Sequence, residues 1–327
     1  MSPADPPSLY RAAQRSGRRM SGYYHNNVRV GPVLVRIPVP GAEQMDLRGW
    51  PEPDVLCAVT PHVDGVPRLL HSCGDPPFQI HEFVSGQQLN ELAPRGTRVP
   101  PQVIPAVLRL FDQLATVPFD ELPPLPVGWP DDSRDFARML SDVTQQVFDD
   151  HRGELFRALG IPDDPLATVV AAWPAMTTRP FRVVHADVHR KNMIRSSGGV
   201  FFLDWELALW GDPVYDLAVH IHKMAYRDDE LHALLAGWAA QSPDAWSWRD
   251  DLAGYLRHEQ VKSAIVHTLR YTREILTEGT SVARRDILTS KLAGDLNTAR
   301  RIWGLPPNLT ALNVARVITE WTDDEDR

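Results

Sequence analysis

Eight consecutive residues, His185-Ala186-Asp187-Val188-His189-Arg190-Lys191-Asn192, bring together a carboxylate, an amide and two imidazoles. A short apolar run, residues 181–184, leads into them, and Met193-Ile194 leads out. A second apolar run, residues 200–203, ends in Asp204-Trp205-Glu206. A single acid after a strand is ordinarily a turn former or a helix cap. The joint pattern fits a more demanding chemistry. Transfer of the γ-phosphate of a nucleotide to a hydroxyl needs a carboxylate that orients and deprotonates the alcohol, and oxygen ligands that hold Mg²⁺ against the phosphates. Asp187 suits the first role. Asn192, through its amide oxygen, and Asp204 suit the second, because Mg²⁺ takes few protein oxygens and fills its shell with water and phosphate. A β-hairpin between residues 192 and 204 would bring these two ligands together.

Two other readings use the same residues. His185, Asp187 and His189 alternate along the chain and could converge on zinc or a dinuclear centre, which would make a metal-dependent hydrolase. That reading leaves Asn192 and Asp204 idle. A catalytically silent nucleotide-binding module would not need the base and both metal ligands. No G-x-x-x-x-G-K-[ST] occurs, so a P-loop kinase is not supported.

The elements that must position these residues are legible in part. Residues 28–30 and 33–37 are rich in β-branched side chains and separated by Gly31-Pro32, the pattern of a hairpin. Residues 78–84 form another strand candidate that ends at Ser85-Gly86, and residues 52–59 predict a short helix with prolines in its first turn. Beyond Gly86 the periodicity becomes helical: Val103, Val107, Leu110, Phe111 and Leu114 share one face, and Asp131, Asp132 and Ser133 supply capping chemistry for the next helix. From Pro213 helices are predicted near 213–225, 228–240, 246–277, 284–303 and 308–322, with Asp212 as a cap before Pro213. The expected fold is α+β, with a β-rich N-terminal nucleotide-binding lobe (1–86), a hinge near residues 82–90 and a helical C-terminal lobe (87–327) that carries the catalytic loop and the acceptor site.

Composition bounds the partners. The chain of 327 residues is 43% hydrophobic and 23% charged, as in an ordinary globular protein, with a formal net charge of −8. An acidic surface repels nucleic-acid phosphates and tolerates cationic small molecules. Two cysteines, Cys57 and Cys73, are too few for a disulfide framework; they fit a reducing cytoplasm and read as small core residues. The tryptophans at 205, 210, 238, 246, 248 and 303 are likewise assigned to the core. Asp228, Asp229 and Glu230 read as the solvated start of a helix. No apolar run follows the N-terminal arginines and none reaches bilayer length, so neither secretion nor a membrane is expected. Nothing in the sequence points to an oligomeric state.

The pattern H-x-D-x-x-x-x-N, the strand that ends in Asp204-Trp205-Glu206, and the segment Gly211-Asp212-Pro213-Val214-Tyr215-Asp216-Leu217-Ala218 together resemble the aminoglycoside phosphotransferase family, small-molecule kinases of protein-kinase-like fold. The likeness is strongest over residues 181–224. It implies Asp187 as catalytic base, His185 as the histidine that stabilises the loop, Asn192 and Asp204 as Mg²⁺ ligands, and Asp216 as an anchor for the loop backbone. Asp216 read by itself could equally be an exposed helical acid. Ala186 stands where the family usually has glycine, which asks that the backbone there avoid positive φ. In the N-terminal lobe, Leu34-Val35-Arg36-Ile37-Pro38 is similar to the strand whose basic residue contacts nucleotide phosphates, and Glu52 resembles the helix glutamate that pairs with it. Arg48 is a rival for the basic position. Residues 21–27 lie where a phosphate-covering turn is expected. Ile80-His81-Glu82-Phe83-Val84 looks like the hinge that hydrogen-bonds the purine, with Glu82 in the nucleotide site. The donor implied is ATP or GTP, and the acceptor a polyhydroxylated, amine-bearing small molecule such as an aminoglycoside or aminocyclitol, in antibiotic resistance or biosynthesis.

Overall fold

A computed structural model describes residues 5–16, 20–21, 25–39, 49–242 and 247–325, with residues 20–21 and 322–325 described by backbone alone. The chain forms two compact units, one of Met1–Trp129 with Pro180–Trp246, the other of Pro130–Arg179 with Ser247–Arg327. The division expected at residues 86 and 87 falls inside the first of these.

The first unit contains a five-stranded antiparallel sheet of β1 (Met20–Ser21), β2 (His25–Val30), β3 (Val33–Pro38), β4 (Leu69–Gly74) and β5 (Pro77–Glu82), in the order β1-β2-β3-β5-β4. β2 and β3 pair from His25–Pro38 to Val30–Val33 across the two-residue turn Gly31-Pro32, as the β-branched pattern predicts. Burial alternates in register: Val28, Val35, Phe78 and Ile80 form a core with Ala13 of an N-terminal helix, Pro6–Arg15. Tyr10 of that helix stacks on Phe78 at a centroid distance of 4.7 Å. The helix was not evident from its apolar spacing; Asp5 caps it by accepting from the Ser8 N–H, ahead of Pro6 and Pro7 in its first turn.

The helix Glu52–Val59 coincides with its predicted span and buries Glu52, Val55, Leu56 and Val59. Cys57 falls between these on the open side and is exposed, and Cys73 on β4 is half-buried, so neither is the core residue expected. Of the tryptophans, 205, 238 and 248 are buried, 210 and 303 are half-buried, and 246 lies outside the described residues.

Residues 185–192 are framed by two small sheets in the same unit. In one, β6 (Gln87–Gln88), β8 (Met193–Ser196) and β9 (Gly199–Phe202) run in the order β6-β8-β9; in the other, β7 (Arg182–Val184) pairs with β10 (Leu209–Gly211). β8 and β9 form the hairpin expected between residues 192 and 204, with Met193 opposite Phe202. Two glycines hold it at close range. Gly86 lies so near β8 that a Cβ there would sit 2.3 Å from the Arg195 carbonyl oxygen. Gly65, at φ +70°, accepts the Phe202 N–H at 2.8 Å, and a Cβ on it would sit 2.4 Å from the Val200 carbonyl oxygen.

The second unit is helical. The helix Ser133–His151 is capped by Asp132, which accepts from the N–H groups of Arg134 and Asp135 at 2.7 and 2.9 Å. Trp173 is buried against Tyr255 of the helix Trp248–Leu276, and its indole N–H donates to Ser141 at 2.9 Å. The helices Val282–Ile302 and Ala311–Glu325 complete this part. No helix among the described residues is long and apolar enough to cross a membrane.

The Gly65 contact yields a direct test. Gly65→Ala should destabilise the protein by at least about 1–2 kcal/mol from the left-handed backbone alone, with the clash against Val200 adding to it. A lower denaturant midpoint at unchanged slope is expected. A midpoint equal to wild type would show that the hairpin is not pinned there.

Candidate active site

The chain leaves β7 at Val184 and turns at Ala186, which has φ +57°. Alanine there does not avoid positive φ, contrary to expectation, and the reason lies in its partners. Asp216, in the first turn of the helix Pro213–Met224, accepts the His185 N–H at 2.8 Å through Oδ2 and the Ala186 N–H at 2.9 Å through Oδ1. Left-handed alanine costs about 1–2 kcal/mol, and two charge-assisted hydrogen bonds to consecutive amides offset it. Asp216 is 1% exposed, a buried anchor of the loop and not a surface acid. Burial pushes its carboxyl up to about 7, against the opposing pull of the two amides. Asp212 caps the same helix by accepting the Val214 N–H at 2.9 Å, as predicted.

His185 is fully buried, its ring 4.4 Å from that of Trp205, and Nδ1 faces the Asp187 N–H at 3.3 Å. Burial lowers its pKa, so the imidazole is neutral. It fixes the turn by accepting from a backbone amide. Asp187 carries the densest set of partners. Asn192 Nδ2 donates to its Oδ2 at 2.8 Å and to its backbone carbonyl at 3.1 Å. Lys223 Nζ meets Oδ1, and His189 Nε2 lies 3.5 Å from the same oxygen. Burial would raise the Asp187 pKa, but Lys223 and His189 hold the carboxyl well below the usual range.

Lys223 escaped sequence analysis, yet a signal exists. Asp216, His220 and Lys223 stand at i, i+4 and i+7, one face of the helix Pro213–Met224. All three serve the loop: Asp216 through the amides, His220 Nδ1 by donating to the Val188 carbonyl at 2.8 Å, and Lys223 through Asp187. Burial pushes the His220 imidazole down to about 4. Arg190 ties down the loop's far side, donating to the carbonyls of Met224, Ala93 and Thr97 at 2.7–2.9 Å.

Asn192 and Asp204 flank the open end of the β8–β9 hairpin, where the Leu203 N–H donates to the Asn192 carbonyl at 2.8 Å. Asp204 has φ +67°. Its Oδ1 accepts from Arg36 Nη2 at 2.6 Å, while Arg36 Nη1 donates to Glu52 Oε1 at 2.5 Å. Glu52 Oε1 also accepts the Trp205 N–H at 3.1 Å. Burial opposes the charge on Arg36, but Glu52, Asp204 and Glu206 together raise its pKa above the ordinary value. Glu206 is buried, with Oε2 3.3 Å from His25 Nδ1, and burial lifts its pKa. The Arg36–Glu52 pair predicted from sequence is thus present and buried. Arg48 and residues 22–24 of the segment expected to cover the phosphates lie outside the described residues, while residues 25–27 belong to β2.

The donor set fits a hard divalent cation. Glu52, Asp204 and Glu206 face one guanidinium; Oε2 of Glu52 is buried without a hydrogen-bond partner, while Oε2 of Glu206 lies beside His25. The Asn192 side chain spends its N–H₂ group on Asp187, which leaves its amide oxygen for a metal. No group of three or more His, Cys, Asp or Glu side chains among the described residues is arranged to hold a metal ion, the three acids around Arg36 included, so a Mg²⁺ held by Asn192 and Asp204 would take the rest of its shell from water and phosphate. His185, Asp187 and His189 do not form the zinc centre of the hydrolase reading.

The remaining acidic candidates have defined partners. Glu82 ends β5 with its carboxylate paired to Arg68 at 2.8 Å and its N–H on the Arg68 carbonyl at 2.9 Å. Glu230 is buried and not solvated, accepting the N–H groups of Val99 and Arg227 at 2.7 and 3.1 Å, and Asp229 pairs with Arg98.

Comparison with known proteins agrees with this architecture. Residues 14–252 match the model of the phosphotransferase enzyme family. No curated protein matches the chain by sequence. Among solved structures, a choline/ethanolamine kinase family protein from Mesorhizobium loti superposes with a TM-score of 0.62 at 13% identity, covering 97% of this chain and 96% of its own. An ethanolamine kinase from Plasmodium vivax gives 0.59 at 11% identity, over 89% of each chain. Aminoglycoside phosphotransferase APH(4)-Ia gives 0.58 at 15% identity, over 90% of this chain and 96% of its own. These likenesses establish an α+β, protein-kinase-like fold. On the strength of the family match, this chain belongs to the phosphotransferase enzyme family.

Proposed function

We propose that the protein transfers the γ-phosphate of ATP or GTP to a hydroxyl of a small polyhydroxylated molecule, with Asp187 as base and Asn192 and Asp204 as ligands for Mg²⁺. The observation that carries this reading is the hydrogen bond from Asn192 to Asp187, made at the open end of the hairpin that also bears Asp204. The loop after β7 carries the base, the two ends of the β8–β9 hairpin carry the oxygen ligands, and Asn192 links them. Bound Mg²⁺ supplies charge neutralisation for the nucleotide phosphates.

The chain's own residues account for the remainder. Asp187, held ionised, accepts the acceptor's proton and aims its oxygen at the phosphorus. Arg36 faces the β- and γ-phosphates, a role its planar fork suits, while Glu52 fixes its direction. His185 and Asp216 keep the loop in its left-handed turn. Residues 1–86 hold most of the nucleotide, the strand end at Glu82 lies along its base, and residues 87–327 hold the acceptor. Catalysis of this kind is chiefly positioning and electrostatic stabilisation. The protein works in the cytosol on an aminoglycoside, an aminocyclitol or a related compound, in resistance or biosynthesis. The aminoglycoside and the choline or ethanolamine phosphotransferases of similar fold support an alcohol acceptor.

The test is a screen of amino sugars, aminocyclitols, intact aminoglycosides and amino alcohols for phosphorylated product by mass, with ATP and GTP in parallel. Asp187→Ala should abolish turnover and leave nucleotide affinity largely intact; full activity would remove Asp187 from the mechanism. Asp204→Ala should lose Mg²⁺-dependent nucleotide binding, measured by calorimetry with and without the metal. Unchanged affinity would overturn its assignment as a ligand.

A further inference from the structure

Lys223 stands in the last turn of the helix Pro213–Met224, where the helix dipole favours a cation. The dipole accounts for a basic residue there, but not for the direction of its ammonium, which reaches the Asp187 carboxylate. The Lys223 side chain is 32% exposed and that of Asp187 13%. His189 approaches the same oxygen at 3.5 Å, and Asn192 occupies the other at 2.8 Å. Asp216, the nearby acid on the same helix face, spends its carboxylate on two backbone amides.

We propose that Lys223 selects the acceptor, its ammonium filling the place beside Asp187 that an amine next to the reacting hydroxyl would need. The hydroxyl presented to Asp187 therefore has a neutral or anionic neighbour, and any amine of the acceptor lies farther away. This inference rests on the phosphotransfer reading and refines it. A hydroxyl that donates to Oδ1 of Asp187, the oxygen Lys223 meets, comes within about 5 Å of Nζ, because both groups bond one atom at ordinary distances. An ammonium on the adjacent carbon would then lie against a partly buried cation, with limited solvent to screen the repulsion. A hydroxyl, carboxylate or phosphate on that carbon would instead accept a hydrogen bond from Lys223. Specificity of this kind is built from repulsion of the wrong ligand as much as from attraction of the right one.

Matched pairs of cyclitols test it, each pair sharing one ring and differing only in whether the carbon beside the free hydroxyl bears an ammonium or a hydroxyl. Product formation and kcat/KM would be measured for wild type, Lys223→Met and Lys223→Arg, with nucleotide affinity and melting temperature confirming that each variant folds. Wild type should favour the neutral member by at least roughly tenfold. Lys223→Met should lower kcat for both members, since Asp187 loses its counter-charge, yet bring the kcat/KM ratio near unity by lowering KM for the ammonium member alone, and Lys223→Arg should retain the preference. A merely structural lysine would change both members alike. Preference of wild type for the ammonium member, or an unchanged ratio in Lys223→Met, overturns the proposal, and the wild-type ratio decides if that variant does not fold. No product from any pair with either nucleotide counts against the phosphotransfer reading itself.

Discussion

A single guanidinium joins the parts of the molecule that the proposed chemistry requires. Arg36 comes from the centre of the N-terminal sheet, Glu52 from the helix behind it, and Asp204 from the end of β9, far along the chain. Removing a charge of this kind from water is costly, and partners on two sides must repay that cost. Arginine meets the requirement because its fork offers separate donors to separate acceptors and stays charged on burial. Glu52 extends the bridge by taking the Trp205 N–H, so the strand, the helix and the turn after Asp204 share one carboxylate oxygen. Glu206 stands at the same guanidinium beside His25, and burial together with the neighbouring Asp204 and Glu52 raises its pKa.

The second constraint is the helix Pro213–Met224, one face of which is devoted to the loop after β7. Asp216 stabilises a backbone conformation that alanine would otherwise resist, His220 binds the loop one turn on, and Lys223 meets the acid at its centre. Arg190 closes the other side by satisfying three carbonyls from separate segments. The loop is thereby held by buried polar groups whose partners are nearly all backbone, an arrangement that fixes geometry more than it adds stability.

Much of this was legible because the chemistry is local. Asp187 and Asn192 lie five residues apart, and Asp204 follows after a single hairpin, so their relation needed only strand periodicity to infer. Caps at Asp132 and Asp212 marked helix starts through short-range rules. What escaped depends on distant packing. Lys223 looks like a dipole-compensating residue until the loop is seen against it. Glu230 looks solvated because the N–H it captures, at Val99, is far away in sequence. Cys57 follows Leu56, a core residue, yet faces outward, since a helix of two turns buries only one side. β4 was missed because its alternating exposure, on an edge strand, dilutes the apolar signal. Ala186 shows the limit of residue preference: a rule about alanine and φ yielded to two backbone N–H groups, of His185 and Ala186, donating to Asp216.

The central claim is that Asn192 and Asp204 grip one metal–nucleotide complex beside Asp187. Paramagnetic broadening of backbone amide signals on adding Mn²⁺ with nucleotide tests it most directly. The amides of residues 187–193 and 203–206 should broaden together, and only when metal and nucleotide are both present. Broadening confined to other segments, or equal broadening by Mn²⁺ alone, would contradict the account.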